Sequence, residues 1–371
     1  MLFFEALQAY YAPAVALVFF AVLLAADPLL TRREKQLFLA ELGVVGLMIL
    51  STWTDRCISA VTEGNWWRLR FFTSALQFAA APLSPLILLK IYKRNQIARL
   101  EWLQALPAVI NALLAMSSFW TGLVLRVGPG NVYSRGPLFL LPFLASALYM
   151  IFIFRSASQG ETPGRRMETI FLFSAGAAIT GACVCEIVFV IRYMIWGTTA
   201  VMLLMYFLLV NVLKVLYDMQ TGVYSRLAYT KRMESIADGR LATLAMIDLN
   251  ELKAINDRYG HKAGDQAIVQ VSRALLSIPV RGAKLYRYGG DEFVIVMDGW
   301  HGQELEAELK QIAANCGAVE GTALSFAYGV VEHRGGELHW TTEEMDRRMY
   351  RNKAEMKALR RARSRYSSWR S

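Results

Sequence analysis

The stretch LYRYGGDEFVIVMD, Leu285 to Asp298, sets two glycines and two adjacent carboxylates, Gly289-Gly290-Asp291-Glu292, between runs that read as buried strands. Glycine serves a turn where the backbone must bend sharply or approach another group closely. Reversing a chain needs no acids, so the pair points to a cation. Another carboxylate, Asp248, ends the apolar run Leu241 to Ile247. If the strands are neighbours, Asp248 and Asp291 meet at one edge of a sheet, where two carboxylates and a strand-end carbonyl suit a hard divalent ion such as Mg²⁺. Such an ion, left with open positions, completes its shell on phosphates. Metal and nucleotide are therefore the chemistry these residues can support.

The elements that must position them follow from periodicity. After the strand Leu241 to Ile247, a helical pattern starts near Leu252 and breaks at Tyr259-Gly260-His261. It resumes from Gly264-Asp265 with Ile268, Val271, Leu275 and Leu276 at helical spacing. Lys284 to Tyr288 then reads as a strand and Phe293 to Met297 as its antiparallel return. By position alone Asp265, just after Gly264, can be a helix N-cap. His261 reads as a turn residue, and His301, His333 and His339 fall in segments expected at the surface.

Upstream the composition changes. The 371-residue chain is 55% hydrophobic with a mean hydropathy of +0.32, too apolar for one ordinary soluble domain. Up to Tyr217 it is a series of long apolar blocks; beyond it, charges appear every few residues. Seven blocks, about 10–27, 37–54, 71–91, 103–125, 137–154, 169–191 and 196–215, can each span a bilayer. The first has no basic n-region and is read as a retained span. Alternate gaps carry Arg32, Arg33, Lys35; Lys90, Lys93, Arg94, Arg99; and Arg155, Arg165, Arg166. The others carry Arg56, Arg68, Arg70; Arg126, Arg135; and Arg192, a bias that puts the N-terminus outside and the C-terminal part in the cytoplasm. Glu41 and Glu186 lie within apolar blocks, and Pro82 and Pro85 interrupt the third. Those acids pair with a neighbouring helix or line a ligand-sensing cavity. The net charge of +10 is accounted for largely by the inner loops and the tail LRRARSRYSSWRS, so it is assigned to solvent and lipid headgroups, not to nucleic acid. Cys57, Cys183, Cys185 and Cys316 show neither metal-ligand spacing nor a disulfide framework.

Four ordered pieces between about Asp218 and Arg360 resemble the GGDEF-domain diguanylate cyclases: DMQTGVYSR (218–226), DLNELKAINDRYGHKAGD (248–265), RYGGDEF (287–293) and MDRRMYRNKAEMK (345–357). Upstream of these pieces the apolar blocks are read as an N-terminal all-α transmembrane bundle of about seven helices over 1–217, which resembles multi-span sensor regions in layout. The resemblance to the cyclases implies an α/β GGDEF domain over 218–371, with a mainly antiparallel central sheet flanked by helices, like a nucleotidyl cyclase or polymerase palm. It implies a homodimer that converts two GTP to cyclic di-GMP and two pyrophosphates with Mg²⁺ or Mn²⁺, in a bacterial cytoplasmic membrane. By motif position Asp248, Asp291, Glu292 and the Leu249 carbonyl would hold metal, Glu292 also assisting the 3′-hydroxyl. Gly289 and Gly290 would admit the nucleotide, and Asn256 and Asp265 would read guanine. Lys253, Lys353 and Lys357 would meet phosphates, and Arg287 is counted with the substrate-binding residues. Asn250, Leu252, Ser225 and Lys357 depart from the family's usual Asp, Phe, Asn and Arg. None of these removes a proposed metal ligand, so an active enzyme is expected. A silent GTP-binding regulator acting by protein contact is the alternative. The family's inhibitory product site, Arg-x-x-Asp, would place its Arg and Asp at positions held here by Val280 and Ala283. No residue pattern identifies a ligand for the membrane region.

Overall fold

The computed structural model describes residues 2–60, 65–93, 101–157, 163–188, 194–236, 241–334 and 338–368. Arg94, Arg99 and Arg192, and the end of the sixth apolar block, lie outside them. The chain forms two compact units, residues 1–161 with 165–211 and residues 162–164 with 212–371.

The first unit is helical: α1 (Leu2–Ala26), α2 (Arg32–Ala60), α3 (Trp67–Ala80), α4 (Leu83–Tyr92), a short 3₁₀ turn (Glu101–Ala105) and α5 (Leu106–Thr121). After the hairpin β1 (Leu125–Gly128) and β2 (Val132–Arg135) come α6 (Leu141–Ala157), α7 (Pro163–Val188) and α8 (Met194–Leu216). Among the described residues, five stretches are long and apolar enough to cross a membrane: Arg32–Ser59, Trp67–Tyr92, Leu103–Thr121, Gly164–Val188 and Met194–Leu216. Tyr10–Ala26 and Leu141–Ser156 are apolar but shorter. Large side chains such as Phe19, Leu113, Leu144 and Ile170 point outward, while Phe20, Phe38 and Phe207 meet edge to face inside.

The third block is interrupted where its prolines fall and forms two helices, because Pro82 and Pro85 supply no amide hydrogen and the backbone turns at Ala81-Pro82. The fourth ends earlier than expected: Gly122 takes φ +64° and its N–H bonds to Ser118 O at 2.9 Å, stopping α5, and Leu125 belongs to a strand. Glu41, fully buried, accepts the Ser84 hydroxyl from α4 through one carboxylate oxygen; buried Glu168 accepts from Tyr206 at 2.8 Å, and the half-buried Glu186 accepts the Ile195 N–H at 2.9 Å.

The second unit contains α9 (Arg226–Ile236), β3 (Ala242–Leu249), α10 (Leu252–Tyr259), α11 (His261–Leu276), β4 (Lys284–Arg287) and β5 (Glu292–Asp298). Beyond them lie α12 (Gly302–Ala314), the small hairpin β6 (Ala318–Val319) and β7 (Thr322–Ala323), β8 (Phe326–His333) and α13 (Leu338–Ser368). An antiparallel sheet runs in the order β4-β5-β3-β8. Ala245, Ile247 and Leu249 of β3 pack with α10, α11 and α12, whereas Leu244 and Met246 pack with α9 and α13. A strand covered on both faces has no polar side, which is why Leu241 to Ile247 reads as one apolar run. Helix α13 lies close on β8 at Gly329, where a Cβ would come within 2.4 Å of Met345 O and Met349 N. His333, expected at the surface, is buried, with Nδ1 2.8 Å from Thr341 Oγ1, because β8 ends beneath the start of α13.

Candidate active site

Asp248 is the last residue but one of β3, and the antiparallel register sets it directly opposite Glu292. The Leu249 N–H donates to Asp291 O at 3.0 Å, and the N–H groups of Tyr288 and Gly289 both donate to Glu292 O, at 2.9 and 3.2 Å. The acids are thereby fixed at the end of the ladder. A Cβ on Gly289 would lie 2.6 Å from Glu292 Oε2, so a side chain there would displace the carboxylate from this position. The nearly buried Asp248 carboxylate accepts from Lys353 Nζ of α13 at 2.6 Å. Burial pushes the Glu292 carboxyl above the usual glutamate range, and the charges of Asp248, Asp291 and Asp346 push it further, with Lys353 opposing. Burial also raises Asp346. Sequence reasoning missed Asp346, although it lies seven residues before Lys353 on one helix, two turns away on the same face.

The donor set fits a hard cation. Oxygen ligands converge from a strand end and a turn, and their mutual repulsion is the kind a divalent ion relieves. The side chains alone do not complete a shell: among the described residues no three acidic, histidine or cysteine groups form a metal cluster. Substrate phosphates would have to supply the remaining oxygens.

On the other side of the site, α10 carries Asn256 and Lys253, and α11 carries Asp265. The Asn256 Oδ1 is buried and has no partner among the described residues; it lies over Gly264, where a Cβ would come within 2.0 Å of it. Buried amide oxygens are rarely left unbonded, and an incoming hydrogen-bond donor would satisfy this one. Helix α11 begins at His261 with Gly260 as its N-cap residue, so Asp265 sits a full turn inside and the capping reading is excluded. Sequence reasoning misplaced that start because His261 to Gly264 bury only small side chains. Lys253 and Lys357 are exposed, Lys357 one turn beyond Lys353. An open pocket of about 700 Å³ borders Asp265, lined also by Gln220, Lys262 and Gln266.

Arg287 is committed within the protein. Its Nε donates to Gly289 O and Gly290 O, both at 3.2 Å, and its Nη2 to Gly290 O at 2.7 Å. Its Nη1 reaches Asp218 Oδ1 at 3.0 Å and Gln220 Oε1 at 2.6 Å. Burial would raise the Asp218 carboxyl, but hydrogen bonds from Thr221 and Arg287 and the Arg287 charge outweigh it and hold the group below its ordinary range. The structure thus places Arg287 as a brace of the hairpin.

The sequence model described as "Diguanylate cyclase, GGDEF domain" matches residues 215–358. That stretch is a GGDEF domain. Diguanylate cyclase VdcA of Vibrio cholerae is 39% identical over 82 residues, 22% of this chain and 24% of VdcA. Probable diguanylate cyclase DgcC of Escherichia coli is 42% identical over 88 residues, likewise 22% of this chain and 24% of DgcC. The chain therefore spans about a quarter of the length of these curated relatives. Among solved structures, the coiled coil and GGDEF domain of DgcB from Caulobacter crescentus, in complex with c-di-GMP, aligns with 41% of this chain and 87% of its own. Its identity is 23% and its TM-score 0.37. The assignment of the GGDEF domain rests on the sequence match.

Proposed function

We propose that the chain is a membrane-bound diguanylate cyclase that joins two GTP into cyclic di-GMP with release of two pyrophosphates. The observation that carries the reading is the pairing of Asp248 with Glu292 across β3 and β5, beside Asp291 and under Lys353. Asp248, Asp291, Glu292 and the Leu249 carbonyl would hold Mg²⁺ or Mn²⁺, which when bound supplies charge neutralisation at the triphosphate. Asn256 and Asp265 would read guanine: a carboxylate accepts from N1–H and the 2-amino group, which adenine does not offer together. Lys353, paired with Asp248 in the free protein, would exchange that partner for a phosphate oxygen, with Lys253 and Lys357 adding positive charge. Glu292, raised above the usual carboxylate range, suits removal of the proton from the attacking 3′-hydroxyl. Each domain holds one nucleotide, so attack on the α-phosphorus of the other requires a second copy facing the first.

The N-terminal unit supports membrane residence through the five long apolar stretches and two shorter ones found among the described residues. In this reading all seven segments cross the bacterial cytoplasmic membrane, the N-terminus lies outside, and an unidentified ligand acts on the bundle. The decisive experiment is incubation of the full chain in nanodiscs with Mg²⁺ and GTP, followed by mass spectrometry. Cyclic di-GMP is the expected product. Tight GTP binding without product would make the chain a silent regulator.

A further inference from the structure

Gln220 belongs to DMQTG, Asp218 to Gly222, and nothing in the chemistry above uses it. The loop carrying it is firmly held. Thr221 donates its N–H and its hydroxyl to Asp218 Oδ1 at 2.9 and 2.7 Å, Gly222 N–H donates to Asp218 O at 2.8 Å, and Asp218 N–H donates to Val223 O at 2.8 Å. Val223 is buried in the core. Beyond it, Tyr224 exchanges backbone bonds with β4 through Leu285 O and Arg287 N–H. Gln220 is thus an exposed side chain on a fixed backbone.

Its carboxamide joins two residues of the site. Nε2 donates to Asp265 Oδ1 at 2.8 Å, and Oε1 accepts from Arg287 Nη1 at 2.6 Å. A carboxylate only accepts and a guanidinium only donates, so the amide's orientation is set from both ends. Arg287 in turn braces the carbonyls of Gly289 and Gly290. One side chain therefore ties the carboxylate beside the pocket to the hairpin that presents Asp291 and Glu292.

We propose that Gln220 is a positioning residue for base selection. By occupying one acceptor site of Asp265 it holds that carboxylate in a single orientation, in which the remaining acceptor sites serve a purine carrying both N1–H and a 2-amino group. Asp265 alone, exposed on α11, would sample several rotamers and discriminate less. The proposal rests on Asp265 reading guanine, as stated under Proposed function.

The test compares binding of GTP with binding of inosine triphosphate, which keeps N1–H and lacks the 2-amino group, by the full chain in nanodiscs with Mg²⁺. Gln220→Met keeps the size and removes both hydrogen bonds; Gln220→Glu keeps the acceptor for Arg287 and sets a second carboxylate against Asp265. The expected result is a fall in GTP preference on the order of threefold to tenfold for Gln220→Met, and more for Gln220→Glu. Gln220→Met should add nothing when Asp265→Asn is already present. An unchanged preference in both single variants, or a Gln220→Met effect that persists in the Asp265→Asn background, overturns the proposal while leaving the cyclase reading intact. Failure of the unsubstituted chain to bind GTP overturns both.

Discussion

At the scale of single residues the site is a cluster of negative charge with one cation in it. Lys353 sits 2.6 Å from Asp248, whereas Glu292 faces the charges of Asp248, Asp291 and Asp346. With Asp248 and Asp291 holding the metal as proposed, removing either carboxylate should disable the chemistry without unfolding the sheet. Asp248→Ala or Asp291→Ala is expected to lower cyclic di-GMP synthesis on the order of 10²-fold or more, with thermal unfolding still cooperative. Near-normal synthesis by either variant would remove that carboxylate from the site. The raised Glu292 makes a separate prediction about pH. Burial and the neighbouring acids keep its neutral form to a higher pH than in an ordinary glutamate, but a metal ion binds the carboxylate, so binding must release a proton once the pH falls below the raised pKa. Mg²⁺ affinity should therefore begin to fall on the acid side at a pH above the ordinary glutamate range, by up to about tenfold per pH unit for one proton. Glu292→Gln should bind more weakly overall and lose that acid limb. Isothermal titration at several pH values measures both, and an acid limb that persists in Glu292→Gln assigns it to another group.

At the scale of elements, the hairpin and the β3 strand end were legible in the sequence because local residues make them: glycines for the turn, an apolar run for a strand buried on both faces. The start of α11, the burial of His333 and the neighbourhood of Asp346 were not, because each depends on what another element places against it. Gly329 shows the same dependence and can be tested. Alanine there would force Met345 and Met349 away from β8, so Gly329→Ala should cost about 1–3 kcal/mol and shift the helix that carries Lys353. Thermal unfolding in detergent should show the loss, and an unchanged midpoint would mean that α13 accommodates the methyl group without strain. The turn between α11 and β4 carries a different expectation. Val280 is buried in the core, Ala283 packs against it, and their backbones are joined by an Ala283 N–H to Val280 O bond of 3.3 Å. Neither offers a cation or an acceptor for a bound dinucleotide. Arg281 is exposed next to them, but its sequence neighbours Gly282, Ala283 and Lys284 supply no carboxylate to read a guanine edge. Initial rates should stay flat as cyclic di-GMP is added, and strong non-competitive inhibition would show that Arg281 anchors a product site of another form.

At the scale of the whole molecule the number of crossings decides where the GGDEF domain works. Five long apolar stretches were legible in hydropathy, because a bilayer asks only for length and apolar character. The interruption at Pro82 and Pro85 was legible as well, whereas the early stop at Gly122 was not, since it depends on backbone conformation. Leu141–Ser156 is the short apolar segment. At 1.5 Å per residue it reaches roughly 24 Å, short of a hydrocarbon core of about 30 Å unless the bilayer thins or flanking residues extend it. The apolar stretch Tyr10–Ala26 belongs to the longer helix α1 (Leu2–Ala26). Parity makes the question answerable. Seven crossings put the two ends on opposite sides, whereas six, without Leu141–Ser156, put them on the same side. The arginine and lysine bias of alternate loops favours opposite ends with the C-terminus inside. A reporter active only in the cytoplasm should therefore work when fused after Ser371, and one active only outside should work when fused before Met1. Activity of the cytoplasmic reporter at both ends would mean six crossings. Activity of the external reporter after Ser371 would overturn the orientation and deprive the domain of cytoplasmic GTP.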